Sequence, residues 1–456
     1  MSSLLGVMSI AMGALEAQQA GLETTTNNIA NLNTPGYTRE RPVLQEADPI
    51  VQNGMAYGDG VKLQGIESLR DSILGLQISN ETQQQGQAQA YVNAMSQAQA
   101  LFPDDTSGIG QAISSFFQSL NSLSTDPSNL ALRQSVLSAA GAMASAFNSS
   151  ASELGSQRSS LDQNVEQSVG EINQITQQIA DINRKLARLS STSQGYGSFL
   201  DQRDNLLQQL SGLIDVSVIS DGTSITLTTR QGTLLVAGGQ SFALSTALDP
   251  ASGVQHVFSQ GSDITQNIAG GALGGALQAR DQSLPQMQAQ LDALAGGLVQ
   301  ALNTAHSQGF DLNGDPGGNL FTPVSGSGAA ASMTVAITDP TLLAASSDGT
   351  SGSNGNLANL SAVANDAVAN GMTPTQAYAN LVFQAGSAVS DGTTELNASN
   401  AMLQQLQQQQ ASVSGVSLDE EASNLLLYQR AYQAAAQAIT TVDQMLQTAV
   451  QMGAGT

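Results

Sequence analysis

The chain has 456 residues, 41% of them hydrophobic, enough for two to four domains with sizeable cores and too apolar for a disordered protein. Only 11% of residues are charged, against roughly 25% in ordinary globular proteins, and 13 basic against 36 acidic side chains leave a net charge of −23. That balance argues against nucleic acid or an anionic membrane as partner, and the absence of cysteine excludes disulfides, thiolate metal sites and a cysteine nucleophile.

The first residues, Met1-Ser2-Ser3-Leu4-Leu5-Gly6, carry no basic region and no unbroken apolar core, so a Sec-type signal peptide is not expected; nor does any run of 18 apolar residues suggest a membrane span. Met8, Leu15, Leu22 and Ile29 then repeat at seven, with Leu5 and Met12 offset in a 3/4 manner, which predicts a helix with one apolar face. It must stop in Asn31-Leu32-Asn33-Thr34-Pro35-Gly36-Tyr37. Pro35 disfavours helical geometry at Thr34, Pro35-Gly36 suits the centre of a type II turn, and Asn31 and Asn33 tolerate left-handed backbone.

Gly60-Val61, followed by Ile66, Arg70, Asp71 and Gln77, reads as a strand leading into a helix. From about Thr125 to Ser190 the chain reads as long helix: Leu154, Leu161, Ile175, Ile182 and Leu189 share one column, and Val165, Ile172, Ile179 and Leu186 its companion. Leu200-Asp201-Gln202-Arg203-Asp204 opens another helix. From Val216 to Leu244 the texture turns to β, with Asp221-Gly222 as a hairpin turn; Ala331 to Ile337 adds a further short strand, and Leu277 to His306 returns to helix between them.

At the far end Leu418, Leu425, Tyr432, Ile439 and Leu446 form one seven-residue column, and Tyr428, Ala435, Val442 and Ala449 interleave with it. A sustained heptad favours a partner helix, and the obvious partner is the other terminus. The plainer alternative is two core helices of one globule. We take Leu15, Leu22, Ile29, Leu418, Leu425, Tyr432, Ile439 and Leu446 as subunit-interface residues, and Asn31, Asn33, Thr34, Pro35, Gly36 and Tyr37 as the helix-terminating signature. Seam burial falls short of the entropy of ordering both ends. The termini are therefore expected to be poorly ordered in an isolated chain and to fold when copies supply neighbouring helices.

The expected class is mainly α with an inserted small β domain. It comprises paired terminal helices in coiled-coil-like packing (1–37 and 414–456), a long-helix bundle domain (38–212, 266–322 and 355–413), and an outer β domain (213–265 and 323–354). No site chemistry accompanies it. Asp311-Leu312-Asn313-Gly314-Asp315 resembles a calcium loop, but Pro316 and Thr322 stand where an EF-hand needs Gly and Glu, so it is read as a turn. His256 and His306 share no zinc spacing, and neither Lys62 nor Lys185 sits in a phosphate loop. Gly270 to Gly275 does not fit a dinucleotide fingerprint; Asp104-Asp105 reads as loop and Glu420-Glu421 as first-turn charge. No cofactor, no metal and no enzymatic activity are expected.

Ala30-Asn31-Leu32-Asn33-Thr34-Pro35-Gly36-Tyr37 resembles the signature of bacterial flagellar rod, hook and hook-associated axial proteins, and Gly60 to Gln77 resembles their next block. Leu200 to Asp204, Asn303 to Gly314, Gly318 to Phe321, Ser414 to Glu421 and Tyr428 to Tyr432 resemble the hook-associated protein 1 (FlgK) family. That resemblance implies a homo-oligomer in an open helical tube at the junction of hook and filament. It further implies hook protein on one side, a second hook-associated protein on the other, type III export to the outside of the cell, and an export chaperone on the C-terminal segment. A hook or distal rod subunit would share the first signature but not the middle blocks; a secreted helical adhesin is the alternative of another class.

Overall fold

The computed structural model describes residues 2–52, 55–103, 107–193, 195–221 and 224–454. Asp104-Asp105 and Gly222 lie outside them. Helix α1 (Ser2–Ala30) leads into a β excursion of β1 (Glu40–Glu46), β2 (Ile50–Gln52), β3 (Met55–Tyr57) and β4 (Val61–Ser68). β1 pairs antiparallel with β4 from Glu40↔Ser68 to Glu46↔Val61, with a shift of register after Val43, and β2–β3 is a smaller hairpin at its far end. The strand expected after Gly60 is β4. Its partner β1 escapes a reading by periodicity, since Pro42 and the charges at Glu40, Arg41 and Glu46 blur alternation in a two-stranded ribbon that tolerates them at its edges.

Asp71 caps α2 (Ser72–Ala100), its carboxylate accepting from the amides of Ile73 at 3.0 Å and Leu74 at 3.1 Å. After α3 (Gly108–Leu123), the expected long helix is α4 (Leu130–Leu186), 57 residues and roughly 85 Å long. Its N-terminal two thirds pack against α3 and α7 (Leu284–Ser307), in a core that α9 (Pro374–Ser414) also joins and that includes Phe116, Phe147, Leu154, Leu298 and Tyr378. A second core wraps its C-terminal third.

There α5 (Tyr196–Leu213) and α6 (Gly271–Gln278) join two small antiparallel sheets. One orders β5 (Ser217–Asp221), β6 (Ser224–Thr228), β7 (Leu234–Ala237) and β8 (Gln240–Ser241). The other places β10 (Gln255–Ser259) between β9 (Leu244–Leu248) and β11 (Ser262–Asp263). The hairpin expected at Asp221 forms, with Asp221 paired to Ser224. Ile225, Leu227, Val236 and Val257 share one hydrophobic cluster with Val165, Ile172 and Ile179 of α4. The β region thus rests on the long helix.

The stretch 323–354, expected to complete the β domain, does not. Ala331 to Ile337 forms a single bridge, Val335 to Phe321, while Ala329, Ala330, Met333 and Leu343 are buried in the helical core. Helix side chains stand in for a neighbouring strand. Asn303 donates to the Phe321 carbonyl and accepts from its amide, both at 2.9 Å; Asp292 accepts from the amides of Gly328 and Ala330 at 2.9 Å; Asn148 donates to the Ala330 carbonyl at 2.7 Å. Backbone polarity met this way needs no sheet. A short α8 (Gly355–Ala362) precedes α9, and Thr373 with Gln376 forms a capping box at the start of α9. The chain closes with α10 (Leu418–Ala454).

Candidate functional site

α1 and α10 lie side by side. The inner face of α1 is built from small residues, Ala11, Ala17, Ala20, Gly21, Thr24 and Thr25, so the backbones approach closely. A Cβ on Gly21 would sit 2.7 Å from the Tyr428 ring, and Ala435 and Val442 continue the buried column of α10. α1 also leans on β4, with the Val61 carbonyl against Gly13.

The structure places the interface residues read from sequence along this pair. Leu15, Leu22, Ile29, Leu425, Tyr432, Ile439 and Leu446 are half-buried at its flanks, and Leu418 is exposed. Leu5 and Met12, read from the sequence as part of the apolar face of the first helix, instead face outward because small residues fill the inner face of α1; so do Val7 on α1 and Leu426, Leu427, Met445, Val450 and Met452 on α10, which were not singled out. Ala434, Ala438, Thr441, Met445, Thr448 and Met452 follow 3/4 spacing and make one solvent-facing stripe without a charge; Leu427 extends it past a single exposed cation, Arg430. The uncharged spacing was the available signal.

At the base of the pair the separate sequence blocks converge. α1 ends with the Asn31 amide and side chain both donating to the Asn27 carbonyl at 3.0 Å, and Thr34 donates its hydroxyl to Asn31 at 3.2 Å. The Tyr37 amide then donates to the Thr34 carbonyl at 3.2 Å around Pro35 and Gly36, with Gly36 at φ +76°, the geometry of a type II turn. Asn33 is exposed. The positive φ favours glycine at 36, and a Cβ there would also fall 2.2 Å from Oδ1 of Asn205 in α5, whose side chain would have to move.

Asn28 is the centre of the junction. Its side-chain oxygen accepts from the Tyr37 hydroxyl at 2.8 Å and the Glu40 amide at 3.0 Å; its nitrogen donates to the Glu40 carbonyl at 2.9 Å and to Glu421 at 3.2 Å. Arg39 bridges Glu421 and Glu420 at 2.7 Å each, and its amide donates to the Ser414 carbonyl at 2.9 Å. The Glu420-Glu421 pair thus does more than favour the helix dipole: it ties α10 to the start of β1. Burial, and then the carboxylates of Glu40, Asp201 and Glu421, push the Tyr37 phenol above its usual range, so it stays a donor.

A second tie reaches the body. The Thr38 amide donates to Asp201 at 3.3 Å, and Arg70 pairs with Asp201 and Asp204 while donating to the Gly197 carbonyl at 3.0 Å. Signature turn, Arg70 and the Leu200 to Asp204 block, far apart in sequence, form one polar joint. Elsewhere, Asp311 folds its own turn, accepting from the amides of Asn313 at 2.8 Å and Asp315 at 2.9 Å.

Two long terminal helices paired at one pole and jointed to a helical body define a flagellar axial subunit, and the terminal matches agree. The family model described as flagella basal body rod protein matches residues 8–38, and that of the flagellar basal body rod FlgEFG protein C-terminal matches 407–452. Between them, the flagellar hook-associated protein FlgK helical domain matches 95–321. The chain belongs to the flagellar hook-associated protein 1, or FlgK, family. It is similar to flagellar hook-associated protein 1 of Escherichia coli K12, 31% identical over 70% of this chain and 60% of that protein. It is also similar to those of Salmonella typhimurium, 26% identical over 97% of this chain and 98% of that one, and of Bacillus subtilis, 28% identical over the whole of both. A solved structure of the flagellar hook junction protein FlgK from Burkholderia pseudomallei superposes with a TM-score of 0.67 at 19% identity, over 74% of this chain and all of that one.

Proposed function

We propose that this protein is a structural subunit of the bacterial flagellum that forms the junction between hook and filament by stacking copies of itself through the α1–α10 pair. The observation that carries this reading is the outward apolar stripe of Leu427, Met445 and Met452, with Leu5 and Met12 on the partner helix, which one chain leaves uncovered. One such contact repeated with a rotation and a rise gives an open helical tube. The half-buried column of Leu15, Leu22, Ile29, Leu425, Tyr432, Ile439 and Leu446 sets the pairing that presents the stripe. The boundaries 1–37 and 414–456 mark the assembling unit, and the joint at Asn28, Arg39 and Arg70 orients it on the body.

The neighbours in this reading are hook protein on one side and a second hook-associated protein on the other. Before export the unpaired C-terminal segment, whose seam would otherwise aggregate, is the target of a chaperone. Outside the cell it becomes part of the flagellum; among the described residues no helix is long and apolar enough to cross a membrane. A rod or hook subunit would share the two terminal matches but has no use for the one over 95–321. The test is Leu427→Asp with Met445→Asp as the cell's sole copy. Folded protein in the medium, with hooks that carry no filament, is expected; normal filaments would sink the proposal.

A further inference from the structure

The β9–β10 connection holds a group of side chains that assembly does not use. Asp249 opens the turn, its amide donating to the Val254 carbonyl at 2.9 Å, its carbonyl accepting from the Gly253 amide at 2.8 Å and its carboxylate from the Ser252 amide at 2.8 Å. Ser252 is therefore anchored by its backbone. Its hydroxyl oxygen lies 3.3 Å from Nε2 of His256 on β10, and Nδ1 of the same ring lies 2.7 Å from Oδ2 of Asp263 on β11. Asp263 is itself held: its other oxygen accepts from the Thr265 amide at 2.9 Å and the Thr265 hydroxyl at 2.7 Å, while that hydroxyl accepts from the Val257 amide at 2.8 Å.

A carboxylate fixed against Nδ1 favours a proton on that nitrogen, and in the neutral ring the Nε2 lone pair then points toward Ser252. Such an arrangement is defined by geometry and roles, whatever the order along the chain. Ser252 and His256 form one rim of a groove lined also by Arg158, Val254, Gln266 and Leu277. Arg158 donates from its guanidinium to the Ser252 carbonyl at 3.5 Å and lines the same groove, which puts a cation on the Ser252 side of it.

We infer that Ser252, His256 and Asp263 form a nucleophilic triad that hydrolyses carboxylic esters in this groove. Ser252 Oγ bonds to the ester carbonyl carbon as its proton passes to His256 Nε2, and the carbonyl oxygen takes the negative charge beside Arg158. The tetrahedral species collapses, the bond to the alkoxy group breaks, and that group leaves with the proton from Nε2. Water then attacks acyl-Ser252 with His256 again as base, releasing the acid and restoring the hydroxyl. Esters are the class because their leaving group is good and a single cation supports the oxyanion. Asp249 restrains the site: its carboxylate is 3.7 Å from Nε2 and attracts the Ser252 hydroxyl, so it competes for the same proton.

The full-length chain should react with a fluorophosphonate probe at Ser252 and cleave p-nitrophenyl acetate at least about 100-fold faster than the Ser252→Ala variant. His256→Gln should abolish the rise of labelling rate with pH, and Asp249→Asn should speed labelling, with circular dichroism unchanged in each. Labelling that survives Ser252→Ala, absence of labelling in the folded wild type, or a pH profile indifferent to His256→Gln would each overturn the inference.

Discussion

His306 gives the most direct test of how the loop after α7 is held. Its ring is fully buried; Nδ1 donates to the Gly318 carbonyl at 2.8 Å and Nε2 accepts from the Ala344 amide at 2.9 Å. One neutral ring thus pins both ends of the segment that replaces the expected strands. Burial lowers its pKa and the nearby Arg133 guanidinium adds to this, only partly opposed by the Gly318 carbonyl and Asp311. Because the folded pKa lies below the unfolded value near 6.5, the unfolded chain takes up the proton first. This contribution is therefore whole above about pH 6.5 and is lost as pH falls toward the folded pKa, at up to about 1.4 kcal/mol per pH unit. Glu40 and Asp215, both held above the usual carboxylate range by burial, act with the opposite sign over the lower part of that window. The assay is urea unfolding from pH 7.5 to 5 of wild type, His306→Gln and His306→Phe, so that the shared carboxylates cancel in the differences. His306→Phe should cost about 2–4 kcal/mol at pH 7.5 by orphaning two buried backbone groups, and neither variant should retain the extra acid loss. Parallel pH profiles for all three proteins would refute the reasoning.

The joint below the terminal helices makes its own predictions. Arg39→Ala leaves Glu421, whose side chain is 2% exposed, with Asn28 alone, and should loosen α10 from the joint by about 2–3 kcal/mol, read as earlier proteolysis around residues 414–418; unchanged cleavage would refute it. Gly36→Ala forces a left-handed alanine and a clash with Asn205, for a loss of about 1–3 kcal/mol in thermal unfolding, of which Asn205→Ala should restore only the steric part. Hydrogen exchange on the isolated chain should be fast in α1 and α10 beyond the joint and slow in α4, with the ends gaining protection on polymerisation; uniform protection of the monomer would mean the pair is self-sufficient.

Periodicity made the long elements legible. The heptads of the termini and the columns of α4 are residues whose partners lie across one continuous helix face, so their spacing carries the information. The turn at Pro35-Gly36 was legible because backbone limits act locally. What stayed hidden depends on groups distant in sequence. Asn303 and Asp292 convert 323–354 from an expected sheet into a draped segment, and no pattern within 331–337 announces them. The same holds for Asn28, whose bonds reach as far as Glu421; Ser252, His256 and Asp263 are close in sequence, but they meet through the β9–β10 turn and the β10–β11 pairing, which no spacing announces.

The division of residues in the terminal pair bears on what the pair is for. A helix pair that had only to hold itself together would turn its bulkiest apolar groups inward, where each full burial gains roughly 1.5–3 kcal/mol. Here the inner face of α1 is alanine, glycine and threonine, while Leu5, Val7, Met12, Leu426, Leu427, Met445 and Met452 look outward. Small inner residues let the two backbones run close as one thin unit; the outer residues gain nothing until another surface covers them. Charge on that outer face would keep a monomer soluble and would hinder close packing, and the stripe from Ala434 through Met445 to Met452 carries none, Arg430 beside Leu427 being the one cation at its base. Solubility is left to the net charge of −23 spread over the whole chain. The pair is therefore more economically explained as half of an interface between copies than as a finished core.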